Sequence, residues 1–283
     1  MLRKSVIFGQ ENLLRMKRFL LVWVVTFVMC GNSYGWGVLE HGAVAQIAEN
    51  HLSPEAKTLL KWYLKGVPMA YYSYDAEIKR DEMFISVGDK KWLLSHTFNV
   101  DKKFASSRKV FDKNGEPLNN MLADIDLIVK DLKANHREMT DSVRQTYISF
   151  LIHAVGDMHC PMHVGFEDRA GYGQYTVYFG KKKKMNYHTF WDKGVISAHH
   201  PWSYSDLATL FDIYNEKEIA SFCKGDIFAW GKEVAKTVYP MHSYRANARI
   251  DVVKYRVEYQ QTGELLLTKA GYRLAKLLNE IFQ

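Results

Sequence analysis

The sequence is poor in cysteine, with only Cys30, Cys160 and Cys223 in 283 residues. That excludes a scaffold stapled by several disulfides, and it leaves Cys160 and Cys223 as one pair that an oxidising compartment would permit without requiring. No apolar run is long enough for an ordinary membrane span. The run over residues 19–29 has 11 residues, where about 20 are needed. There is no internal repeat, no low-complexity linker and no run of more than four like charges. One domain is therefore the simplest organisation.

What is present is a globular composition, 47% hydrophobic and 24% charged, on a chain long enough to bury a substantial core. Met16-Lys17-Arg18 followed by the short apolar run has the form of a secretory signal. Small residues at Ser33 and Gly35 occupy the positions that a signal peptidase reads, so cleavage is expected before Trp36. The expected division is an N-terminal extension with a cleaved signal over residues 1–35 and one domain over residues 36–283. A membrane anchor is the other reading of the run, and Cys30 loosely matches a lipid-attachment site, but the bulky Met29 before it argues against that. Residues 1–35 hold five basic side chains and one acidic, so a chain starting at Trp36 carries +3 rather than +7. So small a surplus does not by itself mark a nucleic-acid binder.

The periodicity is mostly helical. Ser53-Pro54 gives a capping residue and a proline at a helix start, with Leu59, Leu60 and Tyr63 following and Gly66 closing the segment. Leu122, Ile125, Val129 and Leu132 are spaced as one helical face, as are Tyr147, Phe150, Leu151, Ala154 and Val155, and later Leu266, Ala270, Leu274, Leu277 and Ile281. Only "QYTVYF" at residues 174–179 alternates like a strand, and it runs into Gly180 and the lysines at 181–184, which suit a solvated turn. The expected fold is mainly α with a small β-hairpin.

The chain has 11 histidines, several of them at ligand spacing with carboxylates. In "LIHAVGDMHCPMH", His153 and Asp157 are four residues apart and share a helical face, and Pro161 then turns the chain so that His163 can reach the same region. In "NYHTFWD", His188 and Asp192 repeat the spacing. One such pair is more often a helix-surface hydrogen bond. Two pairs with a further histidine favour metal, and imidazole with carboxylate suits zinc at a hydrolytic site. Five ligands exceed what one tetrahedral zinc and its water can use, which implies at least two metals.

These motifs, together with Trp36-Gly37 and His41 five residues after Trp36, "SHTFNV" around His96 and the closing "AGYRLAKLLNEI", resemble the zinc-dependent single-strand nucleases of fungi and the related plant bifunctional nucleases. That family sits within the phospholipase C and nuclease superfamily. The motifs fall in the family's order over nearly all of residues 36–283. The resemblance implies a mainly α single domain with a cleft for three zinc ions. One would be held by Asp75, His96, His153 and Asp157; a second by the amino group and carbonyl of Trp36, with His41 and the shared Asp157; the third by His163, His188 and Asp192. Metal lowers the pKa of bound water towards roughly 7 and neutralises charge on the phosphoryl oxygens. Asp75 would orient that water or accept its proton, and Lys79, with Arg80 able to share the task, would face the phosphate as a point charge.

The chain departs from the family in three places. "YSYDAEIKRD" sets Asp75 one residue early if Ile78 and Lys79 are held in register, which makes Glu77 an alternative ligand. Asn99 stands where the fungal enzymes place an aspartate against a base, and the stacking aromatics expected at Thr97 and Gly194 are missing. Tyr172, within Ala170-Gly171-Tyr172, replaces an asparagine near the phosphate, so Asn99 and Tyr172 are the expected substrate-binding residues. His159 is expected to point away from the metals, and His51, His136, His199, His200 and His242 to be surface or core residues.

The expected activity is an exported phosphodiesterase that cleaves single-stranded DNA or RNA to 5′-mononucleotides, with 3′-nucleotidase activity. It would act as a monomer, secreted or periplasmic, without stable membrane association after processing. A zinc-dependent phospholipase C and a zinc-binding protein whose activity has decayed are the competing readings. The five-residue spacing from Trp36 to His41 and the aspartate at 192 favour the nuclease over the lipase.

Overall fold

The computed structural model describes residues 36–169, 176–179, 183–196, 203–243 and 247–283, with the side chains of residues 75–77, 80, 179, 183, 193 and 194 outside that description. The run of small apolar residues in "GAVAQIA" forms the middle of α1 (Val38–Asn50), where Ala43, Val44, Ala45, Ile47 and Ala48 are all fully buried. α2 (Pro54–Tyr63) opens on the expected cap, the Ser53 hydroxyl accepting from the Ala56 amide at 3.1 Å. It ends as the chain turns through Lys65 and Gly66, both at positive φ. α3 (Met69–Ile78) follows.

Three small sheets then interrupt the helices. β1 (Phe84–Val87) and β2 (Lys90–Leu93) make an antiparallel hairpin around Gly88, whose φ is +58°. β3 (Phe98–Val100) precedes α4 (Met121–Asn135) and α5 (Asp141–His159), and β4 (Val164–Phe166) returns to pair with β3 in parallel, Phe98 opposite Val164. β5 (Thr176–Phe179) pairs antiparallel with β6 (Lys183–Asn186), which leads into α6 (Tyr187–Gly194). α7 (Tyr204–Phe211), α8 (Glu216–Phe222) and α9 (Ile227–Val238) follow, and β7 (Arg249–Ile250) adds in parallel to β5 before the 30-residue α10 (Val252–Ile281).

The expected helices are present, and the sheet content exceeds the single expected hairpin. The extra strands have two to four residues, too few for alternation to register in the sequence. In the first hairpin only Ile85 and Trp92 are buried, and Gly88-Asp89 is the signal that could have revealed it.

The core lies where α1 meets α3, α7 and α10, with α5 packed on α3, α4 and α10. Backbones come very close there. A β-carbon on Gly271 of α10 would stand 2.6 Å from Ile47 Cβ, and one on Gly42 of α1 would stand 2.7 Å from Tyr204 Cβ. α1 also touches α5 directly, and the buried faces of both carry histidine. Among the described residues, no helix is long and apolar enough to cross a membrane.

Candidate metal centre

Asp157 has no solvent exposure and sits near the end of α5, where His153 of the same helix and three histidines from elsewhere in the chain reach it. His41 Nε2 of α1 is 3.2 Å from Oδ1. Around Oδ2 stand His153 Nε2 at 3.0 Å, one turn earlier on α5, His96 Nδ1 at 3.1 Å and His163 Nδ1 at 3.5 Å. The His41 and His153 rings stack with centroids 4.1 Å apart, and His96 meets His153 edge-on at 5.0 Å. A second group adjoins the first. His163 Nε2 lies 2.8 Å from His188 Nε2, and His188 Nε2 lies 3.7 Å from Oδ1 of the fully buried Asp192.

Local structure explains this convergence. Pro161 stops α5 at His159, and the short turn Pro161–His163 carries His163 into β4. The β3–β4 pairing then sets His163 beside His96, so that His163 Nδ1 lies 2.6 Å from the His96 carbonyl oxygen. The His96 segment is itself held by Asp124, which accepts from the Ser95 amide at 2.9 Å and from Trp92 Nε1 at 3.1 Å. Asn186 caps α6 by accepting from the His188 and Thr189 amides, which fixes the helix that carries His188 and Asp192. Asp124, Asn186 and Gly156 were not singled out from the sequence. The asparagine directly before "YHTFWD" is an N-cap signal that could have been read there.

The electrostatics suit a cation. Burial, reinforced by the neighbouring His153, lowers His41 to about 4, and burial with His163 beside it lowers His188 to about 3. Burial also lowers His163. Burial alone would raise Asp157, but His153 and His163 hold its carboxyl well below the usual carboxylate range. Neutral imidazoles around ionised carboxylate are the protonation states that metal ligation requires.

Hydrogen bonding gives a direct test of fit. His153 Nδ1 lies 2.7 Å from the Ser73 carbonyl and His163 Nδ1 bonds the His96 carbonyl, so each ring can donate from Nδ1 while its Nε2 faces the cluster, His153 towards Asp157 and His163 towards His188. His41 Nδ1 and His96 Nε2 are buried and make no hydrogen bond among the described residues, and His41 Nε2 and Asp157 Oδ1 have only each other, at 3.2 Å. Buried donors and acceptors left in this condition are costly unless something absent from the polypeptide satisfies them. His41, His153 and Asp157 form one group, and Cys160, His163 and Asp192 another, in which one donor atom per residue lies within 4.8 Å of the others. The residues present fit divalent metal.

Not every expected residue joins the cluster. Trp36 is 3% exposed with its ring edge-on to Trp191 at 6.2 Å, and a β-carbon on Gly37 would come within 2.6 Å of the Asp192 carbonyl. The Trp36-Gly37 backbone thus passes directly beside Asp192. Asp75 and Glu77 lie on α3, and their side chains fall outside the described residues. Lys79 is exposed and borders a hollow of about 620 Å³ with Tyr72, Glu82, Asp141 and Ser149, a lining that includes none of the clustered histidines. Asn99 is exposed on β3 over Gly165, at the edge of a pocket of about 750 Å³ shared with Ser106, Ser107, Phe166 and Glu167. Tyr172, Lys181, Lys182, His199 and His200 lie outside the described residues.

The remaining histidines have other partners. His159 Nδ1 lies 2.7 Å from the Val155 carbonyl and its Nε2 lies 2.9 Å from Arg273. His242 bonds the Pro161 carbonyl, His136 the Tyr63 hydroxyl, and His51 Asp212. Cys160 and Cys223 are free thiols.

Comparison with known proteins gives the family. The S1/P1 Nuclease family model matches residues 36–283. The chain belongs to the S1/P1 nuclease family. Endonuclease 1 of Arabidopsis thaliana is 26% identical over 277 residues, covering 87% of each chain. Nuclease P1 of Penicillium citrinum is 25% identical over 276 residues, covering 87% of this chain and 97% of its own. Nuclease S1 of Aspergillus oryzae is 22% identical over 298 residues, covering 94% and 98%. S1/P1 family membership makes this protein a hydrolase of phosphodiester bonds.

Proposed function

We propose that this S1/P1 family member is an exported, zinc-dependent nuclease that hydrolyses single-stranded DNA or RNA to 5′-mononucleotides and removes phosphate from 3′-nucleotides. The observation that carries the metal-dependent reading is the set of buried, unbonded donor atoms at His41, His96 and Asp157. Zinc is favoured by the donor chemistry, imidazole and carboxylate without an exposed thiol, and by the neutral state of the imidazoles. Three ions per chain divide the ligands as Asp75, His96, His153 and Asp157; Trp36, His41 and Asp157; and His163, His188 and Asp192. Processing before Trp36 leaves residues 36–283 as the mature domain.

Bound zinc would supply Lewis-acid charge at the phosphoryl oxygens and an acidified water. The protein's own part is positioning. Asp157 joins the His41 side of the cluster to the His153 side, and the carbonyls of Ser73 and His96 hold the His153 and His163 rings in the tautomer that presents Nε2. Asp75 would receive the proton of the attacking water. Asn99, at the rim of its pocket, offers an amide that can both donate to and accept from a base edge, and Tyr172 offers an aromatic face.

The test is metal analysis of the protein beginning at Trp36, paired with digestion of single-stranded DNA, RNA and a 3′-mononucleotide. About three zinc ions per chain with all three substrates cleaved is the expected result. A metal-loaded protein inert towards all of them would end the proposal. Asp75→Ala and Glu77→Ala separate the two carboxylates on α3, because only loss of the true ligand lowers zinc content.

A further inference from the structure

One buried donor beside the second metal group has no place in the ligand sets above. Cys160 is where α5 ends. Pro161 bars a further helical turn, and the Cys160 backbone becomes extended at φ −77° and ψ 129°. Its thiol has no solvent exposure. One donor atom each from Cys160, His163 and Asp192 lies within 4.8 Å of the other two. A second observation, independent of the cysteine, marks the same place. With His163 Nδ1 bonded to the His96 carbonyl, its Nε2 faces His188 Nε2 at 2.8 Å. Two imidazole nitrogens this close need a proton or a cation between them.

We propose that Cys160 is a thiolate ligand to the divalent cation held by His163, His188 and Asp192. This rests on the metal-dependent reading given above. Two neutral imidazoles, a carboxylate and a thiolate balance a divalent cation, so the buried centre is electrically neutral. As the metal–sulfur bond forms, the S–H bond breaks and its proton passes to solvent. A divalent cation deprotonates a coordinating thiol outright. A sulfur donor biases the site towards zinc and cadmium over manganese and magnesium.

Cobalt exchange tests this without relying on activity. The zinc-loaded protein is exchanged with Co²⁺, and its near-ultraviolet spectrum is read for a thiolate-to-cobalt charge-transfer band while cobalt per chain is counted. The band is expected in the unaltered protein and in Cys223→Ala, and it is lost in Cys160→Ser. Cys160→Ser is also expected to weaken zinc binding at one site. Fully cobalt-loaded protein without the band overturns the proposal and leaves the nuclease reading standing. A band that persists in Cys160→Ser overturns it as well. Failure to bind cobalt at all removes both. The spectrum of the unaltered protein is decisive by itself should Cys160→Ser not fold.

Discussion

The His41 ring lies against the backbone of Gly156, so close that a β-carbon at Gly156 would stand 2.7 Å from His41 Nδ1. Gly156 precedes Asp157 in the chain, so the contact sets the spacing between α1 and the carboxylate that the histidines surround. Gly156→Ala forces the imidazole away from Asp157 or pushes the two helices apart. Overpacking of this kind costs about 1 to 3 kcal/mol. The expected outcome is a lower melting temperature together with reduced metal content. A variant with unchanged metal content and activity would show that the close packing does not position His41.

Asp157 faces His41 with one oxygen and His96 and His153 with the other. Asp157→Asn keeps the shape and removes the charge, so the imidazoles remain without the anion that balances a cation. Zinc content is expected to fall from about three ions per chain to about one, because only the His163, His188 and Asp192 group survives intact. Elemental analysis with a far-ultraviolet circular dichroism spectrum checks this. Three retained ions would remove Asp157 from its bridging position.

Some of this was legible in the sequence because helical spacing is rigid. His153 with Asp157 and His188 with Asp192 each lie one turn apart, and each pair falls on a buried face as the spacing requires. His96 is 61 residues from Asp157, and spacing could not bring the two together. What does so is the three-residue pairing of β3 with β4, too short to leave a pattern. For Cys160 the count of two cysteines permits a pair with Cys223 and goes no further. Its place beside His163 and Asp192 depends on where α5 stops and how the turn at Pro161 runs, which the count does not contain.

Asp212 joins three parts of the helical core. It accepts from Asn50 Nδ2 at 3.1 Å and from the Tyr272 hydroxyl at 2.8 Å, and it contacts His51 Nε2 at 2.7 Å. Burial alone would raise its pKa, but the bonds from Asn50, His51 and Tyr272 outweigh it and hold the carboxyl below its ordinary value of 3.8. A depressed folded-state pKa means that this stabilisation is complete above the unfolded value and disappears as pH falls through the folded one. Asp212→Asn should therefore be less stable than the unaltered protein at pH 7, and the difference should shrink as pH drops below about 4. Urea unfolding of both proteins at each pH measures this, and metal loss common to both cancels in the comparison. A difference that stays constant with pH would show that the charge of Asp212 is not what links these helices.

The start of the domain gives the last prediction. Trp36 is buried against Trp191, and Gly37 passes the Asp192 carbonyl where a side chain would collide. If the amino group of Trp36 ligates zinc, it does so only as a free amine, because a peptide nitrogen has given its lone pair to amide resonance. A protein that begins at Trp36 should then hold about one more zinc ion than the same protein carrying two extra residues before it. It should also digest single-stranded DNA far faster. Both proteins share every side chain of residues 36–283, so a difference in metal content isolates the amine itself. Equal metal content and equal activity would show that the backbone at Trp36 is not a ligand, and that the tryptophan is there to pack against Trp191.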